Sequence, residues 1–542
     1  MKLVKSLLLG SAAGFVAAAG AQAADLPTRK AAPVDYVRIC AVHGPGFFYI
    51  PGSDTCIRLS GRARFEYVYE QAYAKNSDPS GFRAMGRLAI DARTQTDLGI
   101  LRAYTRIDFT RDSGAWFGSG SGARGGTRIG FGGGASGVAG SFPSYSGIDT
   151  AGNKLQTGVF VTSAFVQWGG LTAGRLQSFF DFYADSDTFF GITDSDTTTT
   201  ALAYTYTFGS GFSATLSIED PKERQRYPIA GLAPVGAGGI NPSVPVAAFS
   251  AVYPFAFSPY AAPGVSSINY IQRENVPDVV GVLNVTQAWG SAQLSGAYHR
   301  IESGGSTITN LQLNNTGTAF ISNPLVPTVP GGYGNKTGNG WAVQAGVKVN
   351  LPMIAAGDYF YAQAAYSKGS ISYVDGGFPG SYSAGAFSTT YDAMPAYDAV
   401  VGPSGHITLT PAYSGLVSLE HYWTPTIRQG IFAGAVHYSY SGATRTAAGF
   451  AAGAACPTCV GSVAFANGSV YNPFSTQYNG GTQYQVGTNL IWSPVKDLDI
   501  GVEVFYSRDQ LQHKEWDLNS GNGKLTKSAD LWLSRLRVSR DF

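Results

Sequence analysis

Residues 57–69 read Ile-Arg-Leu-Ser-Gly-Arg-Ala-Arg-Phe-Glu-Tyr-Val-Tyr. Ile57, Leu59, Gly61, Ala63, Phe65, Tyr67 and Tyr69 form one alternating set, and Arg58, Ser60, Arg62, Arg64 and Glu66 form the other. A β-strand sends successive side chains to opposite faces, so this segment has one apolar and one charged face. The pattern repeats at once. Arg83, Arg87, Asp91 and Arg93 alternate with Phe82, Ala84, Leu88, Ile90 and Ala92, and Arg102, Arg106 and Asp108 alternate with Leu101, Ala103, Ile107 and Phe109. In a soluble sandwich the apolar side would be the core. In a transmembrane barrel it meets lipid, and the arginines line an aqueous lumen.

The N-terminus bears on that choice. Lys2 and Lys5 precede an apolar run from Leu7 to Ala19 that ends in Ala21-Gln22-Ala23. This order of basic, apolar and small residues reads as a cleaved secretory signal. A membrane anchor is the alternative, but the run is shorter than the ~20 residues a spanning helix needs. Loss of Lys2 and Lys5 would bring the formal charge from +2 to about zero, which argues against nucleic acid as a partner. No later apolar stretch reaches ~18 residues, which excludes a helical membrane protein. Charged residues make up 13% of the chain, about half the usual ~25%, whereas Gly, Tyr and Phe are abundant, as aromatic girdles and flexible loops require.

Alternating segments recur to the C-terminus and number about sixteen, an even count of the kind bacterial barrels use. They run from Ile57–Glu70 to Leu531–Phe542. Connections such as Thr96–Gly99, Gly169-Gly170 and Ser493–Asp497 are short, whereas Arg111–Thr157, Pro221–Pro277, Glu302–Gly338, Gly369–Pro411 and Ser441–Thr482 are long and irregular. A compact soluble domain rarely carries several such loops, but a barrel with short periplasmic turns and long external loops does. The expected organisation is a signal at residues 1–23, a periplasmic segment at 24–56 and an antiparallel transmembrane β-barrel at 57–542, an all-β fold exported to the bacterial outer membrane.

Four cysteines in an exported chain favour disulfides. Cys40 and Cys56 flank Ala41–Thr55, and Cys456-Pro-Thr-Cys459 lies in an Ala/Gly-rich stretch. The latter lacks the βαβ context of a redox motif and reads as a local loop staple. The six histidines are scattered, and neither H-E-x-x-H nor G-x-S-x-G occurs, so an enzyme finds no support.

Val37–Arg58, Gly169–Phe182, Glu420–Thr426, Val486–Phe505 and the terminal Phe542 together resemble the general porins of alphaproteobacteria, the family of the major Brucella and rhizobial porins. The resemblance implies a trimeric 16-stranded channel, a Cys40–Cys56 bridge and a third external loop folded into the lumen. It also implies that Phe542 serves outer-membrane assembly.

That loop, from Phe179 to about Thr198, carries Asp181, Asp185, Asp187, Asp194 and Asp196 and no Lys or Arg. Folded inward, it would face Arg58, Arg62, Arg64, Arg83, Arg87, Arg93, Arg102 and Arg106, with Arg535 and Arg537 adding to the basic wall. Opposed charges between low-dielectric walls create a transverse field across the gap. Such an eyelet passes small hydrophilic solutes and ions by size and polarity. Asp185, Asp187, Asp194 and Asp196 could also offer oxygen ligands to calcium, although the glycine and distal Glu of an EF-hand are missing; no other cofactor is expected. The competing function is a plugged surface barrel, acting as adhesin or receptor.

Overall fold

The computed structural model describes residues 38–71, 79–114, 147–151, 155–224, 226, 275–304, 336–375, 397–401, 407–441, 480–517 and 524–542, with short strand pieces elsewhere in the long loops. The signal segment and Cys456–Cys459 lie outside the described residues.

Sixteen antiparallel strands close into one barrel. They are β1 (Cys56–Glu70), β2 (Ser80–Thr96), β3 (Gly99–Ser113), β4 (Leu155–Trp168), β5 (Leu171–Gln177), β6 (Thr198–Gly209), β7 (Phe212–Glu219) and β8 (Asp278–Gln287). The second half comprises β9 (Gly290–Gly304), β10 (Lys336–Asn350), β11 (Tyr359–Lys368), β12 (Pro411–Thr424), β13 (Ile427–Tyr438), β14 (Gly481–Val495), β15 (Leu498–Asp517) and β16 (Lys524–Asp541). Each strand pairs with its sequence neighbours, and β16 returns to β1 in a register from Arg62↔Asp541 to Glu70↔Leu533. The alternation is as read from the sequence. Leu59 (54% exposed), Phe65, Leu88 and Leu216 (62%) point outward, while Glu66, Asp91 and Asp108 are buried on the inner face.

The strands outrun their expected limits most at the external ends of β15 and β16, which pair as far as Asp517↔Lys524. Beyond the membrane both faces of a strand are wet, so the polarity pattern fades while the backbone ladder continues. Tight turns close the other end. Gly290 opens β9 at φ +141°, and a Cβ there would lie 2.0 Å from the Lys348 carbonyl oxygen. Trp168, Trp289, Trp423 and Trp492 stand beside these turns with exposed rings, where amphipathic indoles favour a membrane–water boundary. Trp168 donates to Thr96 Oγ1 at 3.0 Å, and Trp289 donates to Gln287 Oε1 at 3.1 Å.

The seam between the first and last strands ends on the C-terminal residue. Gly61 N donates to the Phe542 carbonyl at 2.8 Å, and Phe542 N donates to the Gly61 carbonyl at 3.1 Å. A Cβ on Gly61 would sit 2.4 Å from the Phe542 ring and 2.6 Å from the Arg87 carbonyl oxygen. Gly61→Val should therefore push Phe542 off the seam at a cost of about 1–3 kcal/mol, the range for overpacking. The unheated protein should then lose its folded electrophoretic mobility at a lower temperature than wild type in a heating series; an unchanged midpoint contradicts this.

Candidate functional site

The third external loop, residues 178–197, lies inside the barrel. Its apolar side chains carry it there. Tyr183, Phe190 and Ile192 pack in one cluster with Val68, Tyr361, Leu416, Phe432, Phe505, Leu531 and Leu533, and Phe180 packs with Val280, Val282, Ala297, Ala342 and Tyr373. Apart from Val68 near the external end of β1, these partners sit on the lumenal side of β8–β13, β15 and β16 and on the sixth external loop. The loop backbone is fastened to the same half of the wall. The Phe180 carbonyl accepts from Ser295 Oγ and Gln344 Nε2, both at 2.9 Å. Gln363 Oε1 accepts from Tyr183 N at 3.0 Å, and Gln485 Oε1 accepts from Thr193 N at 2.7 Å. Glu503 accepts from Phe189 N and Phe190 N at 2.6 and 2.7 Å. At the loop's far end, Arg535 and Arg537 donate to the Phe189 carbonyl and lie over the Phe190 and Phe189 rings at 3.9 and 4.0 Å.

The opposite wall, β1–β3, carries the arginines. Most share carboxylates. Arg62 forms a fork with Asp541 at 2.5 and 2.7 Å, and Arg83 forms one with Asp112 at 2.7 and 2.9 Å. Arg87 and Arg106 both hold Asp108, and Arg93 and Arg102 both hold Asp91. Glu66 is shared by Arg535 and Arg537. Arg58 lies over the Phe47 ring at 5.2 Å. Arg64 has no carboxylate partner among the described residues, and its Nε is buried without an acceptor. The wall is thus a ladder of ion pairs with guanidinium in excess.

The five aspartates have different surroundings. Asp181 is enclosed and accepts from Arg224 Nη2 (2.6 Å), Ser195 Oγ (2.5 Å) and Thr197 N (2.7 Å). Asp187 is buried and accepts from Tyr359 Oη at 2.7 Å and from Ser418 Oγ. Asp185 accepts from Ile192 N at 2.9 Å, and Asp194 accepts from Asp185 N at 3.3 Å. Burial first, and then neighbouring carboxylates, push Asp185 and Asp194 well above the usual carboxylate range. Asp196, half-buried, accepts from Gln177 Nε2 at 2.8 Å. The loop thus turns much of its acidity inward, into its own fastening. A calcium site finds no support. Among the described residues, the one group of three metal-capable side chains is Cys40, His43 and Cys56, whose cysteines are joined in a disulfide.

Sequence reasoning missed the clasp above the loop. Arg224, at the start of the fourth external loop, also donates to the Ser372 carbonyl at 3.0 Å and stacks on Tyr373 at 4.2 Å. Tyr373 Oη donates to Asp278 at 2.7 Å, and His299 Nδ1 lies 2.7 Å from the same carboxylate. Asp398 accepts from Arg226 N and Ile371 N at 2.7 and 2.8 Å, with His299 Nε2 at 3.8 Å. Loops three, four and six are therefore tied together at the external end of the lumen. At the periplasmic end, Cys40 and Cys56 are bridged. The hairpin they close seats Phe47 between Arg58 and Arg93, at 5.2 and 4.8 Å from the ring.

A closed barrel with an inner loop and a charged lumen defines an outer-membrane channel. Residues 25–533 match the family described as Porin subfamily, and the chain belongs to it. This membership implies a general diffusion channel rather than an enzyme. The chain is 28% identical to Porin Omp2b of Brucella suis biovar 1 over 309 residues, 54% of this chain and 74% of that protein. It is 31% identical to Porin Omp2a of Brucella ovis over 304 residues, 54% of this chain and 78% of that protein. Among solved structures, the outer membrane channel DcaP of Acinetobacter baumannii aligns over 91% of this chain and 99% of its own, with 15% identity and a TM-score of 0.49. The anion-selective porin from Comamonas acidovorans aligns over 90% of this chain and 100% of its own, with 8% identity and a TM-score of 0.40.

Burial pushes Asp398 up to about 6 and Asp375 up to about 7, from the ordinary 3.8. A carboxyl raised by folding favours the folded state when protonated. Its contribution is complete below about pH 3.8, is lost as pH rises to about 6–7, and is flat above that. Asp398→Asn should remove up to about 2–3 kcal/mol of that pH dependence. Heat-unfolding midpoints at pH 4 and pH 8 should differ less in the variant than in wild type; equal differences contradict the clasp. At the other end, Cys40→Ser/Cys56→Ser should release the hairpin by on the order of 3 kcal/mol and leave the barrel closed. Limited proteolysis should then cut faster before β1 while the β-sheet circular dichroism is retained; unchanged cleavage contradicts this.

Proposed function

We propose that this porin passes small hydrophilic solutes and ions passively, through a gap between the third loop and the arginine ladder of β1–β3, and that it assembles as a homotrimer in outer-membrane lipid, as the family resemblance implies. One observation carries the gap. The loop leans on β8–β16, while the ion-paired arginines of β1–β3 keep between 19% and 27% of their side chains accessible. A plugged adhesin or receptor barrel would cover them. Water therefore reaches the arginine side of the gap, and polar solutes can cross without shedding much hydration. The Asp181 charge is matched by Arg224, and Asp185 and Asp194 are turned into the loop's own backbone, so the arginine excess dominates the field and biases transport towards anions. Exposed charges act over about a Debye length, ~8–10 Å.

Replacing Arg62, Arg83, Arg87 and Arg106 together with glutamine should move the reversal potential in a dilute potassium chloride gradient towards cation preference. The shift should shrink in concentrated salt. Neutralising the enclosed Asp181 and Asp187 should change selectivity less than the arginine set does. Wild-type selectivity in the arginine variant at low salt would refute the reading.

A further inference from the structure

Arg64 is set apart from the other lumenal arginines of β1–β3 and β16. Each of those has a carboxylate within ion-pair distance or, for Arg58, an aromatic ring. Arg64 has neither, and its Nε is shut from water without an acceptor. Its place in the barrel is defined by register. Across the β1–β2 pair it faces Met85, and across the β1–β16 seam it faces Ser539. One inward-facing position towards the outside is Glu66, which Arg537 holds at 2.7 Å. Arg537 also donates to the Phe189 carbonyl of the third loop. One inward-facing position towards the periplasm is Arg62, directly opposite Arg87. Arg64 therefore lies immediately below the point where the loop end meets the wall.

The charge around it is unbalanced in one direction. On the outer side two arginines share Glu66, and on the periplasmic side two arginines share Asp108. Arg64 sits between these two excesses and adds its own charge. Isolated guanidinium is costly in a half-buried position unless an anion or water completes its hydrogen bonds. Its planar fork matches the spacing of two oxygens on one phosphorus.

We propose that Arg64 is the centre of a transient subsite for phosphoryl dianions, free or carried on a small organic solute. The site rests on the diffusion reading above and deepens it by naming a preferred solute class. A doubly charged tetrahedral anion answers the local excess better than chloride does, and Arg64 supplies two donors to it. Ser539, across the seam, is a further hydroxyl donor of the same inner face. Capture there must be brief, because a channel passes only what it releases.

The test uses the purified full chain in planar bilayers with a potassium chloride background at pH 8. Inorganic phosphate is added in one arm and glycerol phosphate in the other. Saturable reduction of the chloride current is expected in wild type. Block by inorganic phosphate identifies the free ion as a ligand, and block by glycerol phosphate identifies the carried group; either supports the subsite. Arg64→Gln should raise the concentration for half-block about tenfold or more. Arg64→Lys keeps the charge without the fork and should raise it about threefold; it also serves if the glutamine variant fails to insert. Arg508→Gln, an exposed position paired with Asp530, should block as wild type does. A wild-type current indifferent to both anions, or equal block in wild type and the Arg64 variants, overturns the subsite while an open chloride current leaves the diffusion reading standing. Absence of any chloride current overturns both.

Discussion

Hydrocarbon offers no hydrogen bonds to a backbone, and this constraint organises everything else in the chain. A sheet that crosses lipid must pair every strand on both sides, because each unsatisfied amide there costs several kcal/mol. β1 and β16 meet that demand by joining each other, down to the reciprocal bonds between Gly61 and Phe542. Closure then turns the usual arrangement of a protein inside out. Leu59, Leu216 and Leu283 face outward, where a soluble protein would be dissolving them in water, and the carboxylates Glu66, Asp91 and Glu503 are enclosed.

The lumen is divided rather than uniform. The half-wall from β8 to β16 offers apolar and amide side chains such as Leu416, Phe432, Phe505, Gln363 and Gln485, and the third loop lies against these. The half-wall of β1–β3 offers guanidinium groups that no third-loop residue touches among the described hydrogen bonds and ion pairs. A loop carrying Phe180, Tyr183, Phe190 and Ile192 buries most of its apolar surface on the first half, touching β1 at Val68, and leaves the guanidinium groups of the second hydrated. Each large side chain so buried contributes about 1.5–3 kcal/mol, so the loop is held on that side of the lumen. The Arg224 clasp holds the same loop from above. Breaking a buried pair of that kind by removing one partner typically costs about 3–5 kcal/mol, because the remaining charge is stranded.

Much of this architecture is legible in the amino-acid sequence. Residues 57–69 and the two segments after them showed strand, faces and arginines, since alternation is a local property. The unequal connections showed which end is which. The inward position of the third loop came from family resemblance, yet a residue signal was also present. At Leu416-Val417 and at Phe432-Ala433 apolar residues fall on both faces, so the lumenal side there needed a cover. The fates of the individual charges were not readable. Asp91, Asp108 and Asp112 lie in the arginine strands themselves, but which arginine each one holds depends on register. Asp541 reaches Arg62 only when the barrel closes. Asp181 finds Arg224 through two loops whose paths no local pattern encodes, so an apparently acidic loop proves to spend its acidity on its own fastening.

The central claim is an open aqueous lumen narrowed by one loop. Swelling of vesicles that contain the full chain, in neutral sugars of graded size, tests it most directly because no charge effect enters. The account predicts rapid uptake of the smallest sugars, a steep fall in rate with size, and a larger size limit when residues 183–193 are replaced by a short glycine–serine link. No swelling in the smallest sugar, or a rate indifferent to that replacement, would contradict it.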